Sequence, residues 1–130
     1  WVKQMPMDAM RTLVAVANVQ IRRLSQQGVE ARGGDGTVLM VVIRELGGLE
    51  RDGGIPGAYH APRGMLEFWI DPESPYHKPA LATDKTLVLF CASAWRSALA
   101  AKALQDAGAD NIAEMDGGFS AWKARGAAVE

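Results

Sequence analysis

Two stretches of the chain are apolar almost without a break, Val38 to Ile43 (VLMVVI) and Thr86 to Phe90 (TLVLF). A strand with one wet face alternates polar and apolar positions, whereas an unbroken, β-branched run predicts a strand covered on both faces, as in a parallel sheet. Ile112 to Met115 predicts a third strand, and Ala58 to His60 a brief one. Helical spacing dominates elsewhere. Met10, Leu13, Val14, Ala17, Ile21 and Leu24 repeat at helical intervals behind Asp8, a plausible N-cap, and Gly28 offers a stop, which predicts an amphipathic helix over about 8–27. Its other face, with Arg11, Asn18, Arg22 and Ser25, is ordinarily polar, so the helix is expected to pack on its own domain and not on a membrane.

Short helices are predicted over Met65 to Ile70, from the residues after Cys91 to Gly108, and over Phe119 to Ala124. Residues 31–36 (ARGGDG) read as a loop, as do residues 71–84, which contain three prolines. Residues 46–64 hold six glycines and two prolines, leaving room for a short helical turn, tight turns and a brief strand. Strands separated by helices argue for an α/β fold with a largely parallel sheet.

A length of 130 residues, 48% of them hydrophobic, predicts one domain spanning 1–130. Fourteen basic residues against fifteen acidic ones leave a net charge of −1, so no overall field recruits nucleic acid or an anionic membrane. The single cysteine excludes an internal disulfide, and two histidines without a C-x-x-C pair give no metal-ligand spacing. No metal or cofactor is expected. A reducing, cytoplasmic setting is the expectation for such a chain.

That cysteine is the chemical feature of interest. Cys91 stands at the carboxyl end of the most apolar strand, where ligands of open α/β sheets bind, and a helix follows it. The small residues Ala92, Ser93 and Ala94 let a main chain approach a ligand closely. Unpaired N–H groups of the turn and the first helical turn can converge on an anion there. No acid stands at the start of this helix and Arg96 adds a cation, so both the dipole and the charge favour thiolate over thiol. The opposing reading is a cysteine that merely ends a buried strand as a small hydrophobe. The conjunction of strand, small-residue loop, arginine and helix favours a nucleophile.

These residues resemble a known family. Strand, C-x-x-x-x-R-S and helix are similar to the active-site loop of rhodanese-type sulfurtransferases. VLMVVIRE (38–45) resembles that family's first strand with its D-x-R-E ending, GGIPGAYHAP (53–62) its G-H-I-P-G-A segment, and MDGGFSAWKARG (115–126) its closing G-G-x-x-x-W helix. The resemblance implies a rhodanese-like α/β core over about 37–126, a mostly parallel sheet with helices on both faces, preceded by the N-terminal helix. It also implies a double displacement: Cys91 takes a sulfane sulfur from a small anionic donor such as thiosulfate and passes it to cyanide, a thiol or a protein cysteine. Substrate-binding residues by this reading are Ala92, Ser93, Ala94, Trp95 and Arg96, the arginine holding the sulfonate end. Trp95 is expected to stay partly exposed and shape the pocket mouth or a partner surface.

The chain departs from the family pattern at Val42, where an Asp is usual, and at Gly54, where a His is usual. Ala94 takes a position that is often glycine, so a positive φ there would be strained. Two other functions are weighed. A non-catalytic binding module is motivated by Val42 and Gly54. Tyrosine-type phosphatases and arsenate reductases also use a loop cysteine, but the rhodanese-fold phosphatases place five residues between cysteine and arginine, where this chain has four.

The remaining polar residues are assigned structural roles. Arg44 and Glu45 are expected to pair with each other at the sheet end, and His60 and His77 to be hydrogen-bonded loop residues. Arg63, Glu67 and Asp71 are expected on the solvated surface. Gly117 and Gly118 are expected to form the turn into the last helix, with Phe119 and Trp122 in the core.

Overall fold

A computed structural model describes residues 9–32 and 36–130. The chain forms α1 (Ala9–Gln20), β1 (Arg23–Leu24), α2 (Gln26–Arg32), β2 (Val38–Val42), α3 (Leu46–Asp52), β3 (Tyr59–His60), α4 (Leu66–Ile70), β4 (Thr86–Phe90), α5 (Trp95–Asp106), β5 (Ile112–Met115) and α6 (Gly118–Ala124). Single 3-10 turns occupy Arg63–Met65 and Pro79–Leu81. The strands make one sheet in the order β1-β5-β4-β2-β3, every pair parallel.

The unbroken apolar run of β4 has the cause its sequence implies. Leu87, Leu89 and Cys91 enter one core cluster with Leu66, Ala100, Ala101 and Leu104 of α4 and α5. Val88 and Phe90 enter the other, with Val29, Met115, Phe119 and Trp122, the last two from α6. Helices therefore cover both faces, and Leu87 to Phe90 are fully buried. Burial of each such side chain is worth about 1.5–3 kcal/mol, so the centre of the sheet is its most secure part.

The predicted helix over 8–27 is divided. Asp8 lies outside the described residues, as do 33–35 of the expected loop, whose first two residues belong to α2. Helix α1 stops at Gln20, and Arg23–Leu24 instead joins the sheet beside Glu114 and Met115. Glu114 N–H donates to Arg22 O (2.9 Å) and Asp116 N–H to Leu24 O (2.9 Å). Helix propensity differences of a few tenths of a kcal/mol per residue do not outweigh satisfying that edge. Ser25 then opens α2 by accepting from Gly28 N–H at 2.9 Å, so the glycine expected as a stop lies inside a second helix. Val14 and Ala17 of α1 pack on Ala98 of α5, while Met10 and Leu13 are exposed.

All strands run the same way, so the segments following β2, β4 and β5 gather at one edge of the sheet. Two backbone contacts knit that edge: Phe119 N–H donates to Cys91 O (2.7 Å) and Ser120 N–H to Ala92 O (2.9 Å). Gly118, at φ +65°, sits against this joint, where a Cβ would lie 2.6 Å from Cys91 O and 2.8 Å from Ala92 O. Between β4 and α5 the chain turns through Ala94 at φ 71°, the sole non-glycine residue with positive φ among the described residues.

Gly118→Ala is expected to lower stability by about 2 kcal/mol or more, from the left-handed backbone and the carbonyl clash together. Gly126→Ala, at φ +79° with nothing within 4 Å of the added Cβ, carries only the backbone penalty of about 1 kcal/mol. Urea unfolding midpoints that fall equally for the two would contradict this. Ala94→Gly is expected to raise stability by up to about 1 kcal/mol, and the midpoint with it, relief of the left-handed alanine exceeding the entropy cost of glycine. A fall in the midpoint would show that Ala94 is unstrained.

Candidate functional site

Cys91 directly follows β4 and its side chain is packed in the core, 1% exposed. Its Sγ lies 3.5 Å from Ser97 Oγ, in the first turn of α5. Ser97 in turn donates to Glu114 Oε2 at 2.7 Å, and Glu114 Oε1 accepts from Arg23 Nε at 2.9 Å. Arg23 is held from its other side by Asn18 of α1 and, at 3.9 Å, by Asp116. Burial pushes the Glu114 carboxyl above its ordinary value, against the pull of its Ser97 and Arg23 hydrogen bonds.

The loop after Cys91 is a run of spare donors. The backbone N–H groups of residues 92–97 meet no acceptor among the described residues, and no side chain caps α5. A peptide plane sets its C=O and N–H antiparallel. With the Cys91 and Ala92 carbonyls directed to α6, the N–H groups of Ala92 and Ser93 are turned away from that helix. Ser93 and Trp95 are exposed, Trp95 at 44%, and Ala94 is buried at the start of α5.

Arg44 completes the surroundings. Its side chain is 5% exposed and Nη2 meets Asp52 Oδ2 at 2.5 Å, while buried Nη1 has no partner. The guanidinium lies over the Phe119 ring, 5.4 Å from its centroid. A cavity of about 390 Å³ is lined by Arg44, Asp52, Ala92, Phe119, Ser120 and Lys123. A second, of about 230 Å³, is lined by Arg44, Glu45, Arg51 and Arg96 with two glycines. Arg44 thus belongs to both, Ala92 to the first and Arg96 to the second, whereas Cys91 lines neither. The hydrogen bond from Arg44 is the main reason that Asp52 titrates below the usual carboxylate range.

The expected Arg44–Glu45 pair does not form. Glu45 is exposed at the start of α3, and Arg44 reaches instead across that helix to its last residue, Asp52. Successive residues at a strand end project to opposite sides, which separates neighbours that look like a pair in sequence. Arg63 is bound to Glu67 at 2.6 Å, so it is neither free nor at the site. Asp71 Oδ1 accepts from Glu73 N–H (2.9 Å), a turn contact. His60 Nε2 bonds Arg44 O (2.6 Å) and His77 Nδ1 bonds Trp69 O (2.9 Å), both loop roles as expected. Gly117 and Gly118 take positive φ, and Phe119 and Trp122 are buried. Val42 and Gly54 line a separate cavity of about 270 Å³ in which Glu130 pairs with Gly54 through both main-chain groups.

Three residues of this region were not singled out from sequence: Ser97, Glu114 and Asp52. A signal for Glu114 exists, because an acid inside an apolar strand of a doubly covered sheet needs a buried partner. Ser97 follows Arg96 directly and lies in the first turn of α5.

Among known proteins, the chain is 34% identical over 117 residues to an uncharacterized protein of the cyanobacterium Synechocystis, a match covering 89% of this chain and 55% of that relative. It therefore spans about half the length of that protein. A solved structure from Rhodopseudomonas palustris, a protein of unknown function and possible tyrosine phosphatase, is 42% identical with a TM-score of 0.92 and full coverage of both chains. A Pseudomonas aeruginosa thiosulfate sulfurtransferase superposes with a TM-score of 0.75 at 20% identity, over 93% of this chain and 22% of that one. A human single-domain sulfurtransferase does so with 0.69 at 20% identity, over 79% and 96%. These last two share the fold. The family model of the rhodanese-like domain matches residues 25–125, beginning upstream of the core expected from about 37 and taking in α2, whose Val29 packs into the core beside the sheet. With that match spanning most of the chain, this protein belongs to the rhodanese-like domain family.

Proposed function

We propose that the chain is a sulfurtransferase that carries a sulfane sulfur on Cys91. The observation that supports this most is the run of unpartnered N–H groups over residues 92–97, placed beside the one thiol of the chain. Arg96 and the unsatisfied Nη1 of Arg44 add fixed positive charge. Such a cradle suits an anion whose charge grows on a terminal sulfur, with no base needed at the transferred atom.

In the first half-reaction the Cys91 thiolate attacks the outer sulfur of thiosulfate. The donor's S–S bond breaks, sulfite leaves with the electron pair, and a Cys91 persulfide remains. In the second, cyanide or an acceptor thiolate attacks the outer sulfur, giving thiocyanate or a new persulfide and returning the Cys91 thiolate. With Cys91 1% exposed, the donor's outer sulfur must enter the loop to be attacked, and once loaded the transferred sulfur lies about 2.05 Å beyond Sγ. Trp95, exposed next to Arg96, is available to the acceptor. A lone thiol kept for such chemistry belongs in a reducing compartment such as the cytoplasm.

A phosphatase is the second reading, favoured by the similarity to the Rhodopseudomonas palustris protein. The four-residue spacing between Cys91 and Arg96 argues for the smaller sulfur over a tetrahedral phosphate.

Intact-mass measurement after thiosulfate treatment is expected to show one added sulfur atom on the wild-type chain and none on Cys91→Ala. Arg96→Ala is expected to slow loading roughly tenfold or more, the worth of one charge-assisted hydrogen bond to the donor. Absence of any mass gain in the wild type would leave a binding module. Turnover of an aryl phosphate that vanishes in Cys91→Ser would transfer the assignment to the phosphatase.

A further inference from the structure

Glu114 is the one acid of the described residues whose side chain is wholly buried within a salt bridge, and nothing in the transfer chemistry above employs it. It sits on β5, next to β4, and its only link to the cysteine is Ser97. A hydroxyl has one proton. While Glu114 is ionised, that proton is committed to Oε2, so Ser97 can offer Cys91 only a lone pair, which suits the S–H form. If Glu114 holds a proton, its own O–H donates to Ser97 Oγ, and the serine hydroxyl is released to donate to a thiolate.

We infer that Glu114 is a positioning residue that stores the Cys91 proton, with Ser97 as the reversible link between them. The Cys91 S–H bond breaks as its proton passes to Ser97 Oγ, and the Ser97 O–H bond breaks as that proton passes to Glu114 Oε2. The electron pair stays on sulfur, the carboxylate becomes a carboxylic acid, and Ser97 keeps one proton throughout. Net charge is unchanged, so a thiolate forms in a buried site without a second ionisation there, which removes most of the desolvation cost.

The surroundings act in both senses. Arg23 from β1, 2.8 Å from Oε1, holds the carboxylate form and opposes uptake of the proton. The other charged group in reach is Asp116, after β5, which acts against ionisation of Glu114. Helix α5 contributes the neutral Ser97, helix α1 the neutral Asn18 through Arg23, and β4 only the thiol itself. Burial raises the Glu114 carboxyl, which brings its proton affinity toward that of a thiol.

The inference rests on Cys91 as the reacting group, but its test needs no sulfur donor, so it can fail while transfer succeeds, and the reverse. Because the chain has one cysteine, the ultraviolet absorbance of its thiolate can be followed against pH, with Cys91→Ala as the blank. A pair sharing one proton titrates in two macroscopic steps. The wild type is expected to show thiolate appearing in two steps with a plateau between them, Glu114→Gln a single step, and Ser97→Ala a loss of most of the plateau signal. Ser97→Ala leaves the Arg23–Glu114 pair intact and decides the matter if Glu114→Gln does not fold. A single wild-type step that Glu114→Gln merely moves to lower pH, the effect of deleting a buried negative charge, would overturn the inference. So would an undiminished plateau in Ser97→Ala.

Discussion

The joint between the end of β4 and the start of α6 governs everything at this edge of the sheet. Two main-chain hydrogen bonds, from Phe119 and Ser120 to the carbonyls of Cys91 and Ala92, bind the loop by its acceptors. The loop's donors are then left over, because antiparallel C=O and N–H groups in each peptide cannot serve the same side. Gly118 makes the approach feasible, since any Cβ would strike both carbonyls. Sequence, backbone and electrostatics meet here: a missing side chain in the closing helix is what turns a strand-to-helix connection into a surface of unpaired N–H groups.

The distribution of charge follows from that joint. Phe119, drawn in beside the loop, presents its ring to Arg44, and the guanidinium is thereby held at the boundary of two cavities with one nitrogen unsatisfied. Asp52 takes up part of its charge but is itself partly solvated, so the neutralisation is incomplete. A buried cation with a free donor costs several kcal/mol unless something balances it, and an anionic ligand on the loop amides would do so. Glu114 is already matched by Arg23 and does not compete. Each of the two arginines thus has an acid of its own, and of the two pairs only that of Arg44 leaves a buried donor spare among the described residues.

Much of this fold was legible in the chain. β2, β4 and β5 announce themselves by apolar runs that only a doubly covered sheet explains, and the turn before α6 by consecutive glycines. Of the two-residue strands, β3 falls within the brief strand expected over Ala58 to His60, whereas β1 was not legible from its own residues. Arg23–Leu24 has too short a pattern to oppose the helical spacing around it, and it becomes a strand because β5 offers an unpaired edge. The cysteine loop could be located from its residues, but not the direction of the sulfur, which depends on Ser97 and on an acid from a neighbouring strand. Asp52 escaped notice for a similar reason: its partnership with Arg44 is made by the length of α3, two turns that return the chain to the strand end.

Burial of the cysteine and supply of anion donors around it look opposed, yet the same geometry requires both. A thiolate open to water gains little from nearby dipoles, because solvent screens them, whereas at low dielectric each donor counts for several times more. The cost is that the charge must be created inside the protein. In water a thiol ionises by releasing its proton to solvent; a sulfur 1% exposed has no such outlet in its resting position. Its side-chain hydrogen-bond partner is Ser97 Oγ, and beyond that hydroxyl lies the Glu114 carboxyl, a group able to keep a proton. Under the proposed sulfur transfer, a proton store within two hydrogen bonds of the cysteine is the role that the position of Glu114 on β5 would fill.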